Sequence, residues 1–87
     1  MTFPAFEFMS LKRVMIVDDF AAWRHTISSI LHEMPELQVI SEVADGAEAV
    51  RIAQELQPDL VTLDVGLPNL NGIEAAIRIP IAILFCL

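Results

Sequence analysis

Apolar residues in this chain fall into short unbroken runs, separated by stretches in which they recur every three or four positions. Val14-Met15-Ile16-Val17 is the first run, and it stops at the acidic pair Asp18-Asp19. An unbroken run, unlike a strict alternation, fits a strand covered on both faces. Phe20, Trp23, Ile27, Ile30, Leu31 and Met34 then repeat at helical spacing. They predict a helix whose apolar face, Trp23 included, turns to the core. Asp18 or Asp19 is suited to cap its start, and Pro35 lies just past its end.

The same alternation continues. Residues 37–44 (LQVISEVA) predict a second strand, whose Gln38, Ser41 and Glu42 put one side or edge toward water. Asp45 followed by Glu48 resembles a capping box, and Val50, Ala53 and Leu56 carry a second helix up to Pro58. Leu60-Val61-Thr62-Leu63 predicts a third strand ending at Asp64. Gly66, Pro68 and Asn69 mark a loop, Asn71 and Glu74 open a short third helix stopped before Pro80, and residues 81–86 predict a fourth strand.

The order is βαβαβαβ, which implies a doubly wound parallel sheet of the α/β class with helices on both faces and right-handed crossovers. In such sheets ligands bind beyond the carboxyl ends of the strands, where the strand order reverses. Asp18 and Asp19 after the first strand and Asp64 after the third would then share one edge. At an effective dielectric of ~20, two unit charges ~5 Å apart cost about 3 kcal/mol. A divalent cation relieves that conflict, and carboxylates with a backbone carbonyl and waters suit Mg²⁺. The competing reading is that Asp18 and Asp19 cap a helix and Asp64 begins a turn.

Composition narrows the classes. The 87 residues amount to one domain at most, and the hydrophobic content of 55% is too high for a disordered chain. A net charge of −7 disfavours direct contact with nucleic acid or an anionic membrane surface. No apolar run approaches the roughly 20 residues of a membrane span. The first residues lack the basic start of a signal peptide, and residues 1–11 are expected to be a flexible extension, with Met1 and Met9 both open as the start. The single cysteine, Cys86, excludes an internal disulfide and fits a cytoplasmic setting.

Three segments carry a family resemblance. Val14-Met15-Ile16-Val17-Asp18-Asp19, Asp45-Gly46-Ala47-Glu48-Ala49 and the run from Pro58 through Asp64-Val65-Gly66-Leu67-Pro68 to Gly72 resemble the receiver domain of two-component response regulators, over about residues 12–78. The resemblance implies a flavodoxin-like fold and a place in phosphorelay signal transduction. It implies that Asp64 accepts a phosphoryl group from a sensor histidine kinase, and that the module is a phosphoprotein and not an enzyme. It further implies that Asp18, Asp19, Asp64 and the backbone carbonyl of Gly66 hold Mg²⁺, and that Pro68 and Gly72 shape the adjoining loop.

The family has five strands and five helices, whereas this chain reads as four strands and three helices. Residues 12–87 are therefore expected to be a partial, C-terminally truncated receiver domain. Leu87 or Cys86 falls where the family carries the Ser or Thr that contacts the phosphoryl group, and the Lys of the fifth strand has no counterpart. An uncovered fourth strand invites pairing with another receiver or a second copy of the chain. Two further readings follow: an interaction module that is not phosphorylated, and an inactive fragment. His25 and His32, seven apart, are expected on a solvated helix face and not as a metal pair, and Cys86 is expected to pack as an apolar side chain.

Overall fold

The computed structural model describes residues 11–64, Arg78 and the backbone of residues 82–86. The elements are β1 (Lys12–Val17), α1 (Ala21–His32), β2 (Leu37–Val43), α2 (Gly46–Leu56), β3 (Leu60–Asp64) and β4 (Ala82–Cys86). The predicted strands are all present. Of the predicted third helix only Arg78 is described, and it is helical; the loop before that helix lies outside the described residues, as does the predicted N-terminal extension apart from Leu11.

The strands form one four-stranded sheet in the order β2-β1-β3-β4, and all its pairings are parallel. The chain moves from β1 to β2 on one side, then crosses to β3 on the other. The reversal therefore falls between β1 and β3. Two hydrogen bonds close their amino ends: the Asp59 N–H donates to the Arg13 carbonyl at 2.8 Å, and the Arg13 N–H donates to the Asp59 side chain at Oδ2, also at 2.8 Å.

Alternating residues of β1 and β3 serve the two faces of the sheet. Met15, Val17, Val61 and Leu63 are buried with Val43, Ala49 and Ala53, and Val50 and Ile52 pack against this cluster. These contacts seat α2 on one face. Its start is fixed by Asp45, whose Oδ1 accepts the Glu48 N–H at 2.8 Å, as the predicted capping box requires. Its end is set by Gln57, which takes a left-handed conformation with φ 49°, because the following Pro58 disfavours continuing the helix.

On the opposite face Val14 and Ile16 are fully buried and α1 crosses them. Here the structure corrects two expectations. The predicted apolar face of α1 meets the sheet only in part, through Ile27 and Leu31. Phe20 is 65% exposed, Ile30 52%, Trp23 43% and Met34 41%. The residues turned inward are Ser28, which is buried, and Arg24, Ile27 and Leu31, which are half-buried. The predicted face of Phe20, Trp23, Ile27, Ile30, Leu31 and Met34 and the sheet-facing strip share Ile27 and Leu31. The second correction concerns the cap. Phe20 occupies the N-cap position, and no side chain caps the helix. Asp18 Oδ1 instead accepts the N–H of Phe20 at 2.9 Å.

One irregularity in β2 determines which side chains face α1. The β1–β2 register runs Val14↔Val39, then Met15↔Ser41, so Ile40 is an extra residue. Because the side-chain period of a strand is two, one inserted residue exchanges the faces of everything after it. Val43 thereby pairs with Val17 and joins the α2-side core, while Glu42 pairs with Ile16 and faces α1.

Candidate functional site: a carboxylate cluster at the strand-order reversal

Val17 is the last residue of β1, and its register partner in β3 is Leu63. Each is followed by an aspartate, so Asp18 and Asp64 emerge side by side from adjacent parallel strands. Asp19 lies one residue further along the same loop. Each of the three offers a carboxylate oxygen, and these oxygens lie within 4.8 Å of one another. Asp18 is buried at 4% exposure, Asp64 is half-buried and Asp19 is exposed. The site therefore opens to solvent on the side of Asp19.

The loop bearing Asp18 and Asp19 is held at several points. Asp18 N–H donates to the Val43 carbonyl at 3.0 Å, which extends the β1–β2 ladder one residue past the strand. The Asp18 side chain accepts the Phe20 N–H. Arg24, on the first turns of α1, donates from Nη1 to the Asp18 carbonyl oxygen at 2.8 Å. Its Nε lies 3.6 Å from Glu42 Oε1.

Three carboxylates so close offer a hard, anionic, oxygen-only donor set, and that chemistry fits a hard divalent cation such as Mg²⁺, which takes oxygen ligands and retains several waters. The competing reading of these acids as helix caps does not describe the geometry, since neither Asp18 nor Asp19 bonds a helical N–H beyond the N-cap residue.

The structure thus brings together Asp18, Asp19 and Asp64. Gly66, Pro68, Gly72 and Leu87 fall outside the described residues. The main chain of Cys86 is the β4 partner of Asp64, which puts the end of β4 beside the cluster. His25 is exposed, as expected. His32 directs Nδ1 to the Ser28 carbonyl oxygen at 2.7 Å, so it is tied to its own helix. Arg24 and Glu42 are the residues that sequence reasoning missed. Arg24 sits on the polar side of the presumed helix face, and Glu42 faces it only because of the bulge at Ile40.

The family profile described as the response regulator receiver domain matches residues 14–81. A protein-glutamate methylesterase/protein-glutamine glutaminase of Thermotoga maritima is 48% identical over 63 residues, which make up 72% of this chain and 18% of that protein. The chain thus spans under a fifth of the length of that relative. Among solved structures, the response regulator domain of Thermotoga maritima CheB superposes with a TM-score of 0.81 at 39% identity, covering 86% of this chain and 59% of that one. A two-component response regulator of the LuxR family from Aurantimonas sp. SI85-9A1 superposes with a TM-score of 0.82 at 36% identity, covering 87% of this chain and 58% of that one.

Proposed function

The chain belongs to the response regulator receiver domain family, and from that membership we propose that it is the phosphoacceptor module of a two-component phosphorelay, with Asp64 as the acceptor. The observation that carries the reading is the convergence of Asp18, Asp19 and Asp64 within 4.8 Å at the strand-order reversal. In this proposal a carboxylate oxygen of Asp64 attacks the phosphorus of a phosphohistidine on a sensor kinase. The new P–O bond forms as the P–N bond breaks, and the imidazole leaves with a proton. Asp18, Asp19 and Asp64, with the Gly66 carbonyl, would hold Mg²⁺. When bound, the ion neutralises charge on the entering phosphoryl group and on the carboxylates. Asp18, buried and tied to Phe20, holds the loop in place, while exposed Asp19 is free to meet the ion.

We assign residues 12–87 to a partial receiver domain, with residues 1–11 as an extension, in a cytoplasmic setting. No helix among the described residues is long and apolar enough to cross a membrane. The methylesterase activity named for the curated relative belongs to a protein of which this chain matches 18%, and we read the matched segment as a signalling module. Phosphate incorporation from a small phosphodonor with Mg²⁺ tests the reading. Labelling that is abolished in Asp64→Asn supports it, and unchanged labelling in that variant overturns it.

A second reading has one observation in its favour. Phe20 at the N-cap of α1, Trp23 and Ile30 on the helix and Met34 just past its end form an exposed apolar seam, which suits an interaction module that binds a partner without phosphotransfer. Mg²⁺ binding with no labelling at Asp64 favours that reading.

A further inference from the structure

The Asp18–Asp19 peptide is the link that decides where Asp19 points, and its carbonyl oxygen is the atom that Arg24 grips. Resting on the Mg²⁺ site proposed above, we propose that Arg24 and Glu42 form a positioning bridge that orients this peptide for cation binding.

Three observations converge. Arg24 Nη1 meets Asp18 O at 2.8 Å. The opposite edge of the same guanidinium, at Nε, faces Glu42 Oε1 at 3.6 Å. The Arg24 side chain is 19% exposed and that of Glu42 32%, so the arginine is the more sheltered partner. The planar fork of an arginine fixes the direction of both contacts together, which a lysine cannot do. The bulge at Ile40 is what brings Glu42 to the α1 face. The bridge therefore joins the end of β2, the first turns of α1 and the acidic loop.

A cation this close to an acidic cluster has a second possible effect of opposite sign. Taken only as a point charge, Arg24 repels a divalent ion, and its removal would tighten binding. Taken as a positioning residue, its removal frees the Asp18–Asp19 peptide and weakens binding. Groups that orient metal ligands without touching the metal typically contribute about 10- to 100-fold to affinity. The lower figure suits one carbonyl contact.

The test is Mn²⁺ binding by electron paramagnetic resonance on the full chain, read from loss of the free-ion signal and independent of any change in Trp23 fluorescence. Arg24→Met should weaken Mn²⁺ binding about tenfold, and Arg24→Lys should not restore it. Glu42→Ala should weaken it less, and the double variant should match Arg24→Met, because Glu42 acts through Arg24. Unchanged or tighter binding in Arg24→Met overturns the proposal and leaves the metal site standing. A double variant returned to wild-type affinity also overturns it, since cancelling charges predict that result. A lowered melting temperature with unchanged affinity marks a merely structural role and overturns it as well. Should Arg24→Met not fold, Arg24→Lys and Glu42→Ala decide the question by the same readout. Absence of Mn²⁺ binding in the wild type overturns the metal site itself and this bridge with it.

Discussion

Val17 and Leu63 are register partners in adjacent parallel strands, and this single pairing puts Asp18 beside Asp64. The two residues that precede the acids are buried at 1% and 0% exposure. A slip of one position would turn Val17 and Leu63 away from each other and separate the acids, so the core that buries these side chains also fixes the site. Leu63→Ala should cost about 2–5 kcal/mol of stability. Cation affinity should fall with it only where the fold is lost. Urea unfolding with a parallel Mg²⁺ titration below the transition checks both.

The apolar seam of α1 predicts the opposite behaviour. Phe20 and Ile30 are more than half exposed, so Phe20→Ser and Ile30→Ser should shift the urea midpoint by no more than about 0.5 kcal/mol equivalent, the usual range for surface changes. Trp23, 43% exposed, should be quenched by acrylamide in the folded protein. A Trp23 emission that resists acrylamide until unfolding would mean the seam is covered in solution.

Thr62 is 5% exposed in the middle of β3, and its Oγ1 has no hydrogen-bond partner among the described residues. Burying a hydroxyl without a partner costs about 1–3 kcal/mol. Thr62→Val keeps the shape and removes the unsatisfied group. Stability should therefore rise by about 1 kcal/mol, read as a higher urea midpoint with unchanged slope. A fall in stability would show that the hydroxyl is satisfied in solution.

β4 borders the sheet on the side away from β3 among the described residues. An edge strand is a template for another strand. Light scattering across a range of concentrations should show mass rising with concentration. A mass fixed at 9.7 kDa throughout would remove β4 as an association surface.

The legible part of the fold was what the periodicity of unbroken runs encodes. β1 and β3 each stop at the acid where the run stops, and Pro58 ends α2 as its missing N–H and its constraint on Gln57 require. The juxtaposition of Asp18 and Asp64 followed from strand alternation alone. What was not legible depended on three-dimensional choice. The helical spacing of Phe20, Trp23, Ile27, Ile30, Leu31 and Met34 identified a stripe on α1, but spacing does not state that only its Ile27 and Leu31 edge meets the sheet. Arg24 faces inward although charged, because it has the Asp18 carbonyl to bond and the Glu42 carboxylate to pair with there. The bulge at Ile40 has no local marker such as Gly or Pro, so the facing of Glu42, and with it the Arg24 bridge, was hidden.

Asp18 and Asp19 should respond differently to substitution, because one is buried and bonded while the other is exposed. Asp18 supports its loop through the Phe20 N–H, so Asp18→Ala should lose about 1–2 kcal/mol of stability with or without Mg²⁺. Asp19 has exposed oxygens within 4.8 Å of the other carboxylates, and without a cation that proximity is repulsive. Asp19→Asn should therefore stabilise the metal-free chain slightly, by about 0.5 kcal/mol after solvent screening. In Mg²⁺ the order should reverse. The wild type gains stability in proportion to the logarithm of cation concentration above its dissociation constant, and the variant gains little. Melting curves against Mg²⁺ should thus cross, with Asp19→Asn above the wild type at zero Mg²⁺ and below it at saturation. Parallel curves at all concentrations would exclude Asp19 as a ligand, whereas a crossing would identify the exposed acid as the residue through which the cation acts on the fold.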